Sequence, residues 1–310
     1  MRFHSFYFEL IGCKNSEEVF NYFLKTITDS ITYWDYFVNW EKVFKNISDI
    51  ELDLNTLNYL IGKENIEIEF KNLLTKQPSL ITTIPILLAV RDKNFKILTN
   101  YVNYTLEHKA FSFNSYDLNQ SVIDAACVFA KNTGILNLLE NKKLKSIPDY
   151  VLGIEVGLDS NGRKNRHGDT MQEIVENYIK AICIKHNCSY INQANSKKLH
   201  KNVGKDLSAS IKDRVFDFAV WKDPNKLVLI ETNFYGGVGT KLKATAGEYR
   251  NLQQLISNNP GVSFIWITDG LGWPSTTTPL KQAFDDIDYT INIKMILSGL
   301  LEKIILENIK

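Results

Sequence analysis

The 310 residues lack paired cysteines, a long apolar run and any strong excess of charge, and each absence narrows the field. Cys13, Cys127, Cys183 and Cys188 show no C-x-x-C spacing, so neither a zinc site nor a disulfide framework is expected. The longest apolar runs, such as Ile84 to Val90, fall far short of the roughly 20 residues that span a bilayer. The N-terminus has no basic flank followed by a sustained apolar stretch, so no signal peptide is expected. These features together predict a soluble, cytoplasmic protein without a membrane partner. No internal repeat or low-complexity segment is present.

The formal net charge is +1, which gives the whole molecule no field to advertise a polyanionic partner. The stretch from Asn195 to Arg214 is different. It carries Lys197, Lys198, Lys201, Lys205, Lys212 and Arg214 against only Asp206 and Asp213. Screening confines each phosphate contact to about 10 Å or less, so a local basic strip on a neutral protein is enough to bind one.

The first half reads as helical. Asn15 and Glu18 form a capping box, and Val19, Phe20, Phe23, Leu24 and Ile27 follow at helical spacing. Further helices are expected near 34–44, 56–74 and 118–131. The aromatics Tyr33, Trp34, Tyr36, Phe37 and Trp40 are expected in the core, with a DNA-embracing surface as the alternative. After Pro148 the pattern changes. Asp169 or Thr170 can cap a helix whose apolar face is Met171, Ile174, Val175, Tyr178, Ile179 and Ile182. Strands are expected at 189–193, 214–220, 227–235 and 262–268, the last a buried parallel one. A helix over 243–257 packs Leu252, Leu255 and Ile256 inward. The expected organisation is a helical N-terminal domain, 1–146, and an α/β domain, 147–310.

Lys222-Asp-Pro-Asn-Lys226 is a turn sequence between two of these strands. If the turn is centred on Pro224, Asp217 faces Glu231, and Asn233 shares the face of Glu231. Opposed residues hold their Cβ atoms about 4.5–5.5 Å apart, so two carboxylates there repel unless a cation lies between them. Magnesium suits such a site, because it takes oxygen ligands and keeps waters for chemistry. Taken singly, each acid is more simply a strand-end or solvent-facing residue. Both interrupt apolar strands in matching register, and that favours the pair.

An Asp on one strand followed by Glu-x-Lys on the next, with elements in the order αβββαβ, is the core of the PD-(D/E)xK nucleases. Phe216-Asp217-Phe218 with Glu231-Thr232-Asn233-Phe234-Tyr235 resembles the DpnII/MboI group of type II restriction endonucleases. So do the block from Gly157 to Gly168 and Phe264-Ile-Trp-Ile-Thr-Asp-Gly-Leu-Gly-Trp273. The resemblance is best over about 150–280, and it makes the fold class α/β: a helical N-terminal region joined to a PD-(D/E)xK core. It implies a Mg2+-dependent enzyme that cuts unmethylated GATC in double-stranded DNA before the guanine. It also implies an adenine methyltransferase as functional partner, and a homodimer to match the palindrome.

The lysine of the broad superfamily is replaced by Asn233, which can bind a water but lends it no charge. Lys241 is the cation best placed in sequence to substitute, or a second metal does that work. Glu173, on the preceding helix, resembles a further metal-directed acid of some superfamily members; it is equally a solvated charge. Arg163, Lys164 and Arg166, expected in a loop before a helix start, are candidate DNA contacts, as are Lys197, Lys198, Lys205 and Lys243. Asn195, Lys197, Lys198, Asn202 and Lys205 are candidates for reading bases. Gly236-Gly-Val-Gly-Thr-Lys241 lacks the spacing of a phosphate loop; its glycines suit close approach to DNA or a flexible turn. His167, His186 and His200 fit no metal spacing, and Trp273-Pro274 reads as a packed corner. Two rival readings keep the fold: a repair or mismatch-nicking nuclease, and a DNA-binding module inactivated through Asn233.

Overall fold

The computed structural model describes residues 3–100, 106–115 and 119–310. Helices α1 (Ser5–Ile11) and α2 (Ser16–Lys25) come first, followed by α3 (Trp40–Ser48), α4 (Glu51–Leu57) and α5 (Ile66–Lys76). A 3-10 stretch, Pro78–Leu88, leads to a hairpin of β1 (Asn94–Asn100) and β2 (Glu107–Ser112). Helices α6 (Gln120–Asn132), α7 (Ile135–Glu140), α8 (Ile147–Ser160) and α9 (Arg163–His186) follow. Then come β3 (Ser189–Ala194), α10 (Ser196–Val203), β4 (Phe216–Trp221), β5 (Leu227–Phe234), α11 (Thr240–Ser257) and β6 (Val262–Asp269). The chain ends with α12 (Thr277–Asp286), β7 (Tyr289–Ile291), α13 (Ile293–Leu297) and α14 (Leu300–Ile309). None of the described helices is long and apolar enough to cross a membrane.

The chain forms two compact units, Met1–Trp34 with Lys164–Lys310, and Asp35–Arg163. The sequence placed a single boundary near 146. It missed that α1 and α2 bury Phe6, Tyr7, Val19, Phe20 and Phe23 in the same core as the α/β elements. It also missed that α8 buries Ile147 and Val151 in the core of the helical unit.

The α/β unit holds a five-stranded mixed sheet in the order β3-β4-β5-β6-β7. β3, β4 and β5 pair antiparallel, while β5, β6 and β7 pair parallel. β5 and β6 are buried along most of their length because helices cover them, α14 against β5 and α11 against β6. The β4–β5 register pairs Phe218 with Ile230 and Trp221 with Leu227, which is the register that a turn centred on Pro224 requires. From α9 to β6 the main elements run helix, three strands, helix, strand, as the sequence indicated, with α10 added between β3 and β4.

Asp269 ties this unit together. Its buried carboxylate accepts from Thr28 N (2.7 Å) and Oγ1 (2.9 Å), Gly270 N (2.8 Å) and Ile293 N (3.0 Å). Burial pushes its pKa up, and the four donors oppose that rise. The segment after α2 is thereby fastened to the end of β6 and the start of α13.

In the helical unit, the expected helix over 56–74 is broken. α4 ends at Leu57, a 3-10 turn covers Asn58–Leu60, and α5 begins at Ile66 after the left-handed Gly62. The helix expected near 34–44 is a 3-10 turn at Trp34–Tyr36 followed by α3. Of the helix expected over 118–131, Leu118 lies outside the described residues, Asn119 is the N-cap and 120–131 fall in α6. The β1–β2 hairpin was not foreseen, because its strands are mostly exposed and carry no clean apolar alternation.

The aromatics expected in the core are not there. Trp34 is 82% and Trp40 51% exposed, Tyr33 and Phe37 are exposed, and Tyr36 is half-buried. α3 turns Val43 inward, so Trp40 and Phe44, four residues apart, stack on its outer stripe with centroids 5.5 Å apart.

Candidate active site

The site is built at one level of the sheet. On β3 and β4, Asn192 pairs with Phe218 and Ala194 with Phe216, so Gln193 lies opposite Asp217. The β4–β5 ladder ends at Phe218 and Ile230, and its register extended by one residue sets Asp217 opposite Glu231, which pairs in turn with Trp266 of β6. Strand alternation then turns Glu231 and Asn233 to the same side.

Asp217 is held on both oxygens. Oδ2 accepts from Thr232 N (2.7 Å) and Thr232 Oγ1 (2.9 Å), and Oδ1 accepts from Gln172 Nε2 (2.7 Å) on α9. Burial raises its pKa, while the Thr232 bonds and Arg214 work against that rise. Glu231 is only 6% exposed. Its Oε1 accepts from Arg214 Nε (3.0 Å) and its Oε2 from the Tyr249 hydroxyl (3.3 Å). Burial first, and then the charge of Asp217, push its pKa up to about 7, against the pull of Arg214. Two such carboxylates form a hard, oxygen-only donor set. They could hold a divalent ion of the magnesium type, which takes oxygen ligands and would supply a polarising charge there. Among the described residues no group of three or more His, Cys, Asp or Glu side chains could hold a metal ion.

Asn233 lies two residues beyond Glu231 on β5, and its Oδ1 accepts from Trp266 Nε1 (2.9 Å), so the oxygen of its amide is engaged. The cation beside the carboxylates is Arg214. It also pairs with Glu248 (2.8 Å) and lies over the Tyr249 and Phe216 rings. Lys241 and Lys243 sit exposed in the first turn of α11. Glu173 is exposed on α9, and it is its neighbour Gln172 that reaches Asp217.

The basic candidates separate by what they touch. Arg163, Lys164 and Arg166 occupy the first turns of α9 rather than a loop, although Asn165, His167, Gly168, Asp169 and Thr170 are all weak helix formers. Arg163 Nε donates to Phe37 O (3.2 Å), Arg166 is half-buried, and the side chain of Lys164 lies outside the described residues. On α10, Lys197 is exposed and Lys198 Nζ donates to Asn192 O (2.9 Å). Lys205 Nζ is committed to two backbone carbonyls, Asn225 O (3.0 Å) and Pro260 O (2.9 Å). Asn195 caps α10 by accepting from Lys198 N, and Asn202 donates to Lys198 O.

The glycine-containing blocks meet each other. A Cβ on Gly270, where φ is +107°, would stand 2.4 Å from Tyr235 O, and one on Gly272 would stand 2.6 Å from Gly237 O. Only glycines allow the turn after β6 to pack against the turn after β5. Trp273 closes the corner, with its indole N–H donating to Thr268 Oγ1 (2.9 Å).

Sequence reasoning missed Arg214, Tyr249, Gln172 and Thr232. Tyr249 left a trace, since it falls on the buried stripe of α11 with Leu242, Ala246, Leu252 and Ile256, where a hydroxyl needs a partner. Gln172 left none.

A mixed α/β unit that holds one buried and one half-buried carboxylate on neighbouring strands, each with its own donors, is consistent with an α/β nuclease. The sequence profile of the DpnII restriction endonuclease matches residues 19–303. The chain is 47% identical over 289 residues to the type II restriction enzyme MjaIII of Methanocaldococcus jannaschii, covering 92% of this chain and 99% of that one. It is 41% identical over 293 residues to LlaDCHI of Lactococcus lactis subsp. cremoris (92% and 94%). It is 36% identical over 295 residues to DpnII of Streptococcus pneumoniae (94% and 98%). The chain belongs to the DpnII restriction endonuclease family. It is a type II restriction endonuclease, a site-specific deoxyribonuclease acting on double-stranded DNA.

Proposed function

We propose that this enzyme hydrolyses both strands of DNA at unmethylated GATC, before the guanine, with Asp217 and Glu231 holding Mg2+ in a PD-(D/E)xK core. The observation that carries the chemistry is the shared level of the two carboxylates, Glu231 buried and Asp217 half-buried, each held by donors on both oxygens. The ion bound there would polarise the scissile phosphate and acidify a water. The protein's own part is preorganisation. Gln172 and Thr232 fix Asp217, while Arg214 and Tyr249 fix Glu231, so the carboxylates need not rearrange as charge develops. Asn233 braces Trp266, and Arg214 supplies the fixed positive charge that the missing lysine would have brought. Lys197 and Lys243, both exposed, remain the best candidates for phosphate contacts.

The GATC target and the methyltransferase partner rest on the resemblance to the DpnII/MboI group. A homodimer, each protomer cutting one strand, follows from the two-fold symmetry of that target. The test is cleavage of plasmid with Mg2+. Unmethylated plasmid should give discrete fragments whose ends begin with GATC, adenine-methylated plasmid should resist, and Asp217→Ala should bind DNA without cutting it. Nicks, structure-dependent cuts or an active Asp217→Ala variant would overturn the reading.

A further inference from the structure

Gln193 has a backbone that its side chain does not explain. Its φ of +47° is left-handed, a conformation costly for a residue other than glycine, asparagine or aspartate. It sits near the end of the edge strand, opposite Asp217, and its side chain is exposed. Its Nε2 donates to Gln172 Oε1 (3.4 Å), and Gln172 Nε2 donates to Asp217 Oδ1 (2.7 Å). Two amides in series thus join a solvent-facing side chain on the sheet edge to the carboxylate. Strain of this kind persists where the surroundings hold it, and it gathers at working positions. The polar surface around Gln193 suits a nucleic acid: Asn192 beside it is exposed, and Lys197 follows on α10.

We propose that Gln172 and Gln193 are positioning residues, a two-amide relay through which duplex DNA lying along β3 sets the orientation of the Asp217 carboxylate. The proposal rests on the reading of Asp217 as a metal-holding residue. An amide can pass orientation on because it is donor and acceptor at once. A new partner on the Gln193 amide changes how that amide is presented to Gln172 Oε1, and the planar Gln172 amide carries the change to Asp217. Asp217 Oδ2 is already pinned by Thr232, so Gln172 governs the remaining rotation of the carboxylate.

The test is single-turnover cleavage of a duplex carrying one GATC site, with melting temperature and DNA binding in Ca2+ measured on the same variants. Gln172→Leu should slow cleavage on the order of thirtyfold and Gln193→Ala roughly tenfold, since small misplacement of a reacting group costs rate steeply. The double variant should be no slower than Gln172→Leu alone, because a relay is broken only once. Gln193→Gly should slow cleavage like the alanine variant yet raise the melting temperature, by releasing the left-handed backbone; a merely structural residue would lose both together. The proposal is overturned if the two single effects multiply in the double variant, or if Gln193→Ala cleaves at the wild-type rate. It is also overturned if Gln193→Gly lowers the melting temperature. An Asp217→Ala control in the same assay separates the two levels. Inactivity of that variant leaves the glutamines as the only question, whereas wild-type cleavage by it removes the metal-site reading and the relay together.

Discussion

Replacing Glu231 by glutamine should make the metal-free protein more stable at alkaline pH while abolishing cleavage. Burial and Asp217 raise the Glu231 pKa from 4.5 to about 7, so the folded protein holds this proton more tightly than the unfolded chain does. The stability from the protonated form is fully present below about pH 4.5 and is lost as pH rises through about 7. At 1.36 kcal/mol per tenfold step, the ionised carboxylate costs about 3 kcal/mol at pH 8.5. Glutamine mimics the protonated acid. Its oxygen can accept from Arg214 Nε while its amide donates to the Tyr249 hydroxyl, and Arg214 keeps Glu248. Urea unfolding in EDTA, followed by the fluorescence of buried Trp266 and Trp273, should show Glu231→Gln about 3 kcal/mol more stable at pH 8.5. At about 2 °C per kcal/mol the melting temperature rises by about 6 °C. The two proteins should converge only below about pH 4.5. EDTA is essential, because a divalent ion bound by the wild type stabilises it by mass action and masks the gap. A Glu231→Gln protein less stable than wild type at pH 8.5, or a difference that ignores pH, would refute the reasoning.

Four further outcomes follow from particular contacts. Asp269→Ala orphans three backbone N–H groups and the Thr28 hydroxyl, and should cost about 4 kcal/mol in urea unfolding after partial relaxation. Gly270→Ala drives a Cβ into Tyr235 O on a left-handed backbone; it should cost at least about 3 kcal/mol and be visible as a lowered melting temperature. Lys205→Met should lower stability by about 2 kcal/mol and leave the salt dependence of DNA binding unchanged. Lys197→Met should leave stability alone and reduce the slope of log affinity against log salt by about one.

What could be read without the fold was local in sequence. The Asp217–Glu231 register needed only a five-residue turn and the period-2 alternation of two strands, both set within twenty residues of chain. The α2 cap at Asn15, the parallel strand β6 and the packed Trp273 were legible for the same reason. The aromatics of 33–40 were misread because composition does not say which side of a helix faces inward. One buried residue, Val43, decides it for α3. The lysine candidates were too many, since a basic residue reads the same whether its ammonium meets a phosphate or, like Lys205, two carbonyls.

Only tertiary structure supplied the partners of the carboxylates. Gln172 lies 45 residues from Asp217 in sequence, and Asp269 meets Thr28 across 241 residues. No periodicity records such distances, because the spacing between two side chains here is a property of how a helix crosses a sheet. The sequence alone determined that two acids face each other on neighbouring strands and that the chain carries the blocks of a restriction endonuclease. The assembled sheet and helices decided which neutral and cationic groups make that buried pair tolerable. They did so because a buried charge must find its donors wherever the fold brings them, whatever their order along the chain.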